Sequence, residues 1–349
     1  MARPFIFNGI FARRIDMDSS TWEAFMAQIE LALGISHGPT IQSEPEKWRL
    51  LGKRDVHDPR MDYQALLKKA RADFNVEISP ATHAIRHAAI RKALNEMRRR
   101  IAEARLDIIV VVSNMHRVGK SDPHPVFGLL RAESFSVAPL TQDLFKTDAK
   151  FLTESSSSRQ PDPVLDVKPG HPGLANHLID GLIQCENFDV ACTDQLPVGH
   201  SLDDAYSFIY EELVDHDIPM VPVMLSRNLP NQATAARCYD FGLALRRQIE
   251  SWPEPSRIGL IASGGLSHQI VDEELDRRVI KAMVEGDANT LRNLSRDKLN
   301  SAPGTPEILN WVVVSAAMSP SPMQLIDYVP CYRSLAGTGH GVGFGCWRQ

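Results

Sequence analysis

Residues 106–113 read LDIIVVVS, an apolar, β-branched run bounded by polar sequence on both sides. A run of this length and composition suits a central strand buried on both faces. Similar runs recur at 188–193, 219–225 and 257–262, and helical periodicity lies between them at about 172–185, 201–214 and 231–251. Strands alternating with helices predict an α/β fold: one large domain with a central, largely parallel or mixed sheet flanked by helices. Sheets of this kind bind ligands in the crevice outside the carboxyl ends of their strands.

Outward from that core, the spacing predicts a long helix from about residue 82 to 105, with basic and polar residues on its outer face. Residues 34–60, rich in Gly, Pro, Asp and His, read as loop. Upstream, Ser20 and Glu23 stand at capping-box spacing. Trp22, Phe25, Met26, Ile29 and Leu33 then form one apolar stripe, and Gly34 supplies a stop. The expected division is an N-terminal helical extension over 1–33, a main domain over 34–320, and a glycine- and aromatic-rich tail over 321–349. That tail reads as an irregular segment packed on the domain. The stretch 153–163, TESSSSRQPDP, reads as a surface loop.

Composition narrows the function classes. The chain has 349 residues, 43% hydrophobic and 23% charged, with a net charge of -5. It lacks the basic excess of a nucleic-acid or membrane-surface binder. No apolar run approaches the ~20 residues that span a bilayer, and the N-terminus has no signal-peptide pattern. The five cysteines, 185, 192, 238, 331 and 346, include no CxxC pair. A disulfide scaffold is therefore not expected, and a reduced cytoplasm is the expected location.

Of twelve histidines, four sit where an apolar run meets a loop: His37 in GISHGP, His116 in VVSNMH, His200 in QLPVGH and His268 in ASGGLSH. Three of them follow closely on expected strands, where side chains project into an α/β crevice. His83 and His87, at i,i+4 without an HExxH pattern, read as a solvated helix face. His171, beside Pro172, reads as a turn or cap, and His340 is given no role. Asp272, Glu273, Glu274 and Asp276 cluster at a helix start, where carboxylates complement the helix dipole. Glu307, in GTPEILNW, reads as a first-turn carboxylate of another helix, capped by Thr305 with Pro306 at N1. One acid turned inward would complete a different set. Two histidines and a carboxylate on one face of an octahedral ion leave adjacent positions open, which suits non-haem Fe(II).

Five segments occur in order: GISHGPTIQSEPEKW, DIIVVVSNMH, FDVACTDQLPVGH, GLIASGGLSHQIVDEELD and GTPEILNWVVVSAAM. Together they resemble the class III extradiol ring-cleavage dioxygenases, the family that contains the β subunit of protocatechuate 4,5-dioxygenase. The resemblance runs from about residue 34 to 318. It implies Fe(II) held by His37, His116 and Glu307; if the alignment onto Glu307 fails, Glu274 is the alternative acid. It also implies His268 as the acid/base and His200 as a second catalytic histidine. The substrates would be O₂ and a catechol, expected to carry a carboxylate as in protocatechuate, gallate or 3-O-methylgallate. Tyr332, Arg333 and Ser334 in the tail are the candidate donors to that anion, the alternative being that they only pack the end of the chain. The chain departs from the family at Met115 and Gly199, where acidic residues are usual, and at Ser201, where glycine is usual. The rival readings are a non-catalytic binding protein on the same fold and a zinc hydrolase using the same cluster. No nucleic-acid or membrane partner is expected, and a homodimer is.

Overall fold

A computed structural model of the chain describes residues 26–114, 125–137, 166–196 and 201–348. Its centre is four neighbouring parallel strands: β1 (Gln28–Ile35), β8 (Arg257–Ser263), β2 (Ile108–Asn114) and β7 (Met220–Leu225). All four run the same way, so Ile35, Ser263, Asn114 and Leu225 lie at one end of the sheet. Beyond β7 come β3 (Phe127–Leu130), antiparallel to it, and then β6 (Ala191–Thr193). Beyond β1 come β11 (Thr338–Trp347), antiparallel to it, and β10 (Gln324–Tyr332), antiparallel to β11, with the short β9 (His268–Ile270) pairing onto β11. A separate ribbon joins β4 (Ser134–Val137) to β5 (Asp166–Pro169).

Both faces of this mixed sheet are covered, so the expected α/β architecture holds. Alternation along a strand sends successive side chains to opposite faces. In β2, Val110 and Val112 join one core and Ile109 and Val111 the other. The longer helices are α1 (Trp48–Asp55), α2 (Pro80–Ala104), α3 (Pro172–Gln184), α4 (Asp204–Glu212), α5 (Ala235–Glu250), α6 (Glu273–Glu285) and α7 (Ile308–Ala317). Helices α5 and α7 close one face with Phe241, Trp311 and Val312, and α2 and α4 close the other with Ile90, Leu94 and Tyr206. Helix α2 begins where the Ser79 hydroxyl accepts from the Thr82 amide. It ends with Arg105 in the left-handed conformation, close to the expected limits. Among the described residues no helix is long and apolar enough to cross a membrane, and all five cysteines are free.

Three sequence expectations fail. Residues 28–33, expected to end an N-terminal helix, lie instead in the strand β1; residues 1–25 lie outside the described set. In QIELALGI, Ile29 and Leu33 fit a helical stripe, but Leu31, Leu33 and Ile35 fit a strand equally well. Pairing to β8 and β11 on both edges decides between them. Gly34 is not a helix stop: a side chain there would collide with the Trp311 indole. Second, the loop expected over 34–60 contains helix α1 around the fully buried Trp48. Third, the tail is not irregular. It forms the hairpin β10–β11, and β11 is an interior strand buried along its whole length. Glycine at every second position of TGHGVGFGC leaves room on one face for Trp311, Leu266 and Met323.

Candidate active site

The crevice outside the carboxyl ends of the four parallel strands gathers the polar side chains. His37 lies two residues beyond β1, Gly264 and Gly265 follow β8 directly, and Arg227 lies two residues beyond β7. Across this crevice arrives the turn Thr305–Glu307, which leads into α7. Helix α7 is buried throughout, and its position is fixed one turn after Glu307 by Trp311. That indole fills the space over Gly34, and its Nε1–H donates to the Gly264 carbonyl at 2.6 Å. Residues four apart share a helix face, so the packing of Trp311 also aims Glu307.

Glu307 is the hub. It is 1% exposed, and its two oxygens have different neighbours. Oε1 accepts from Arg227 Nη1 at 3.0 Å and lies 3.3 Å from His268 Nε2. Oε2 accepts from the Gly265 amide at 3.2 Å and lies 4.0 Å from His37 Nε2. Gly264 is at φ 111°, and a side chain there would collide with Glu307 Oε2. Gly304 is required for a related reason, since a Cβ would run into the His268 ring. The close approach of His268 to Glu307 therefore depends on two positions without side chains.

Hydrogen bonds assign the ring nitrogens. Ser263 Oγ donates its one proton to the Ala205 carbonyl at 2.7 Å, so toward His37 Nδ1, at 3.2 Å, it acts as acceptor. The neutral His37 ring then carries its hydrogen on Nδ1 and a lone pair on Nε2, the atom that faces Glu307. His268 Nδ1 lies 3.2 Å from the Leu266 carbonyl, which can only accept. Its Nε2 is the nitrogen presented to Glu307 and the crevice. His340 on β11 stands opposite His268 on β9, with ring centroids 4.8 Å apart. Its Nε2 donates to the Gly265 carbonyl at 3.2 Å. Burial, reinforced by the neighbouring His268, holds its pKa well below the usual histidine value, so this ring is neutral.

A second layer holds the turn that carries His268. Asp276 on α6 is fully buried and accepts from the Ser267 amide, the Ser267 hydroxyl and the Tyr328 phenol, at 2.7–2.8 Å. Desolvation outweighs these bonds and raises its pKa to about 7. At the strand ends, Asn310 Nδ2 donates to Asn114 Oδ1 and to the Ser263 carbonyl, tying α7 to β2 and β8.

The donor set suits a divalent metal. One imidazole lone pair and one carboxylate oxygen face each other across a gap that a single ion can bridge, with bonds of about 2.0–2.2 Å to each. Among the described residues no three His, Cys, Asp or Glu side chains form a complete metal-binding group. The remaining expected ligand, His116, lies outside the described residues, as do His200, Met115 and Gly199. In sequence His116 follows β2 by two residues, and β2 itself lies between β8 and β7. Ser201 is buried. Glu274 is exposed on α6.

The tail residues expected to receive a substrate anion have other partners. Arg333 forms a two-bond ion pair with Asp55 of α1 at 2.6 and 2.8 Å. Tyr332 Oη donates to Glu273, and Ser334 Oγ pairs with Thr338 Oγ1. His83 is not on a solvated face: it is buried against Trp48, with Nε2 donating to the Tyr332 carbonyl. Thr305 does not cap α7, and its hydroxyl has no partner among the described residues. His171 does cap α3, accepting from the Leu174 amide. Sequence reading missed Arg227 and His340. Arg227 carries the same positional signal as His37, two residues past an apolar run, and that signal could have found it. His340 lay hidden in the glycine alternation of β11.

The profile of the catalytic LigB subunit of aromatic ring-opening dioxygenase matches residues 74–343. That span includes Arg227, His268, Glu307 and His340, while His37 precedes it. A gallate dioxygenase of Pseudomonas putida is 27% identical over 165 residues. That alignment covers 44% of this chain and 48% of the relative, so the chain matches about half the relative's length.

Proposed function

Because the chain belongs to the family of the catalytic LigB subunit of aromatic ring-opening dioxygenases, we propose that it is an Fe(II)-dependent extradiol dioxygenase that opens the ring of a carboxylate-bearing catechol. The observation that supports this reading is the division of one carboxylate. Glu307 turns Oε2 toward the lone-pair nitrogen of His37 and Oε1 toward His268. A metal-ligand pair and a proton-transfer group thereby share one residue.

In this reading His37, His116 and Glu307 hold the ion. Bound Fe(II) supplies adjacent open positions for a vicinal diol and O₂, and lowers the pKa of the diol hydroxyls. The protein supplies the rest. The Ser263 hydroxyl keeps the His37 hydrogen on Nδ1 and so leaves Nε2 available as a ligand. The Gly265 amide and Arg227 hold the carboxylate plane of Glu307 in place. His268 accepts a proton at Nε2 from the second hydroxyl and returns it to an oxygen of the product. An imidazole suits both steps at neutral pH. His200 is assigned a share in the same proton traffic or a contact to the diol.

Anaerobic reconstitution with Fe(II), followed by a panel of substituted catechols and then air, tests the proposal. The expected result is oxygen uptake with a yellow ring-fission chromophore. A protein that binds iron yet consumes no oxygen with any catechol would refute it. So would hydrolytic turnover with zinc in the absence of oxygen.

A further inference from the structure

Beyond its one bond to Glu307, Arg227 has no assigned role, and its setting is that of a prepared binding group. It stands on the loop after β7, two residues past the strand end, at the same level of the crevice as His37 beyond β1. Its backbone is pinned. The neighbouring Ser226 amide donates to the Val126 carbonyl, and buried Gln232 donates to the carbonyl of Arg227 itself at 3.1 Å. Gln232 and Asn300 in turn clasp each other through both amide groups, at 2.8 and 3.3 Å. Arg296 also donates to the Pro230 and Gln232 carbonyls. The guanidinium therefore projects from a rigid support.

Among the described residues one nitrogen of that guanidinium has a partner: Nη1 donates to Glu307 Oε1. Among the described residues nothing accepts from Nε or Nη2, and the side chain is 18% exposed. The free Nε–Nη2 edge is the fork that matches a carboxylate through two parallel hydrogen bonds. Charge balance points the same way. With a divalent ion on Glu307 Oε2, the single negative charge of Glu307 cannot offset both that ion and Arg227. Two cations held about one carboxylate repel each other unless a second anion joins them.

We propose that Arg227 is the receptor for an anionic ring substituent, a carboxylate on the aromatic diol, which docks on the β7 side of Glu307. The role expected of Arg333 falls instead to an arginine that faces the crevice. The identity of the diol rests on the ring-cleavage reading; the anion preference does not.

The test is anaerobic equilibrium titration of the Fe(II)-loaded protein with protocatechuate and with 4-methylcatechol, a neutral diol of similar size. Wild type, Arg227→Met and Arg227→Lys are compared, with iron content measured for each. Wild type is expected to bind protocatechuate about 10- to 100-fold more tightly, the range for a hydrogen-bonded charge pair. Arg227→Met should abolish that preference, and Arg227→Lys, which keeps the charge but loses the fork, should retain part of it. An undiminished preference in either variant would overturn the assignment, as would its absence in wild type. Equal loss of both affinities along with iron would also overturn it, leaving Arg227 as a positioning residue for Glu307. Exposure to air separates the two proposals. An Arg227-dependent carboxylate preference without ring opening would sink the dioxygenase reading and leave this one standing.

Discussion

His37 Nε2 lies 4.0 Å from Glu307 Oε2, although the two residues come from opposite ends of the chain. Neither is local to the other in any secondary element. One extends from the end of β1, and the other is carried by the turn before α7. Glycines at 264 and 304 leave the space in which this meeting, and that of Glu307 with His268, takes place.

Substitutions at the hub should separate metal binding from proton transfer. His37→Ala and Glu307→Ala are expected to lose stoichiometric iron, with affinity lowered at least about 100-fold. His268→Phe should keep iron but lose about 10²–10⁴-fold in turnover. Metal analysis beside oxygen uptake reads both. Full iron occupancy in Glu307→Ala would remove it from the ligand set.

Gly264→Ala tests the backbone requirement. The new methyl would meet Glu307 Oε2 and would have to adopt φ 111°. A loss of about 1–3 kcal/mol in unfolding free energy is expected, together with weakened iron binding. Urea titration and metal content measure the two effects. A variant of wild-type stability would show that the turn relaxes freely.

Arg333→Ala should act on stability rather than on substrate choice. Its ion pair with Asp55 joins the β10–β11 hairpin to α1, and both side chains are largely buried. Removing one partner of such a pair costs about 3 kcal/mol or more. The ratio of protocatechuate to 4-methylcatechol binding should stay at the wild-type value.

Asp276 gives a pH dependence with a definite sign. Its folded pKa, about 7, is above the ordinary 3.8. Between those values the folded chain holds a proton that the unfolded chain has released. Stability therefore falls as pH rises through this window, by at most about 1.4 kcal/mol per unit, and levels off above pH 7. Asp276→Asn should flatten that limb of the profile. Chemical denaturation from pH 5 to 8 measures it, and an unchanged slope would place the ionised form in the fold.

Much of the framework was legible because its signals are local. The apolar runs at 106–113, 219–225 and 257–262 became β2, β7 and β8 within a residue or two of their limits. The long helix ended at Arg105 as its periodicity required. Residues 28–35 misled because their apolar spacing fits both periods, and only the neighbours on either side select the strand. The β11 glycines misled because their purpose, space for Trp311 and its companions, belongs to a helix elsewhere in the chain.

The sequence by itself determined the fold class, since strand and helix periodicities are written in consecutive residues. It also marked His268, through its place just past an expected strand, and His37 and Glu307 through the family resemblance of the segments that carry them. Only the tertiary structure decided which oxygen of Glu307 faces which histidine, and that Arg227 rather than Arg333 turns into the crevice. It also decided that Asp276 sits buried beneath Ser267. Those relationships depend on distances between segments remote along the chain. Such distances are set by how helices and sheet pack, and no short window of residues encodes them.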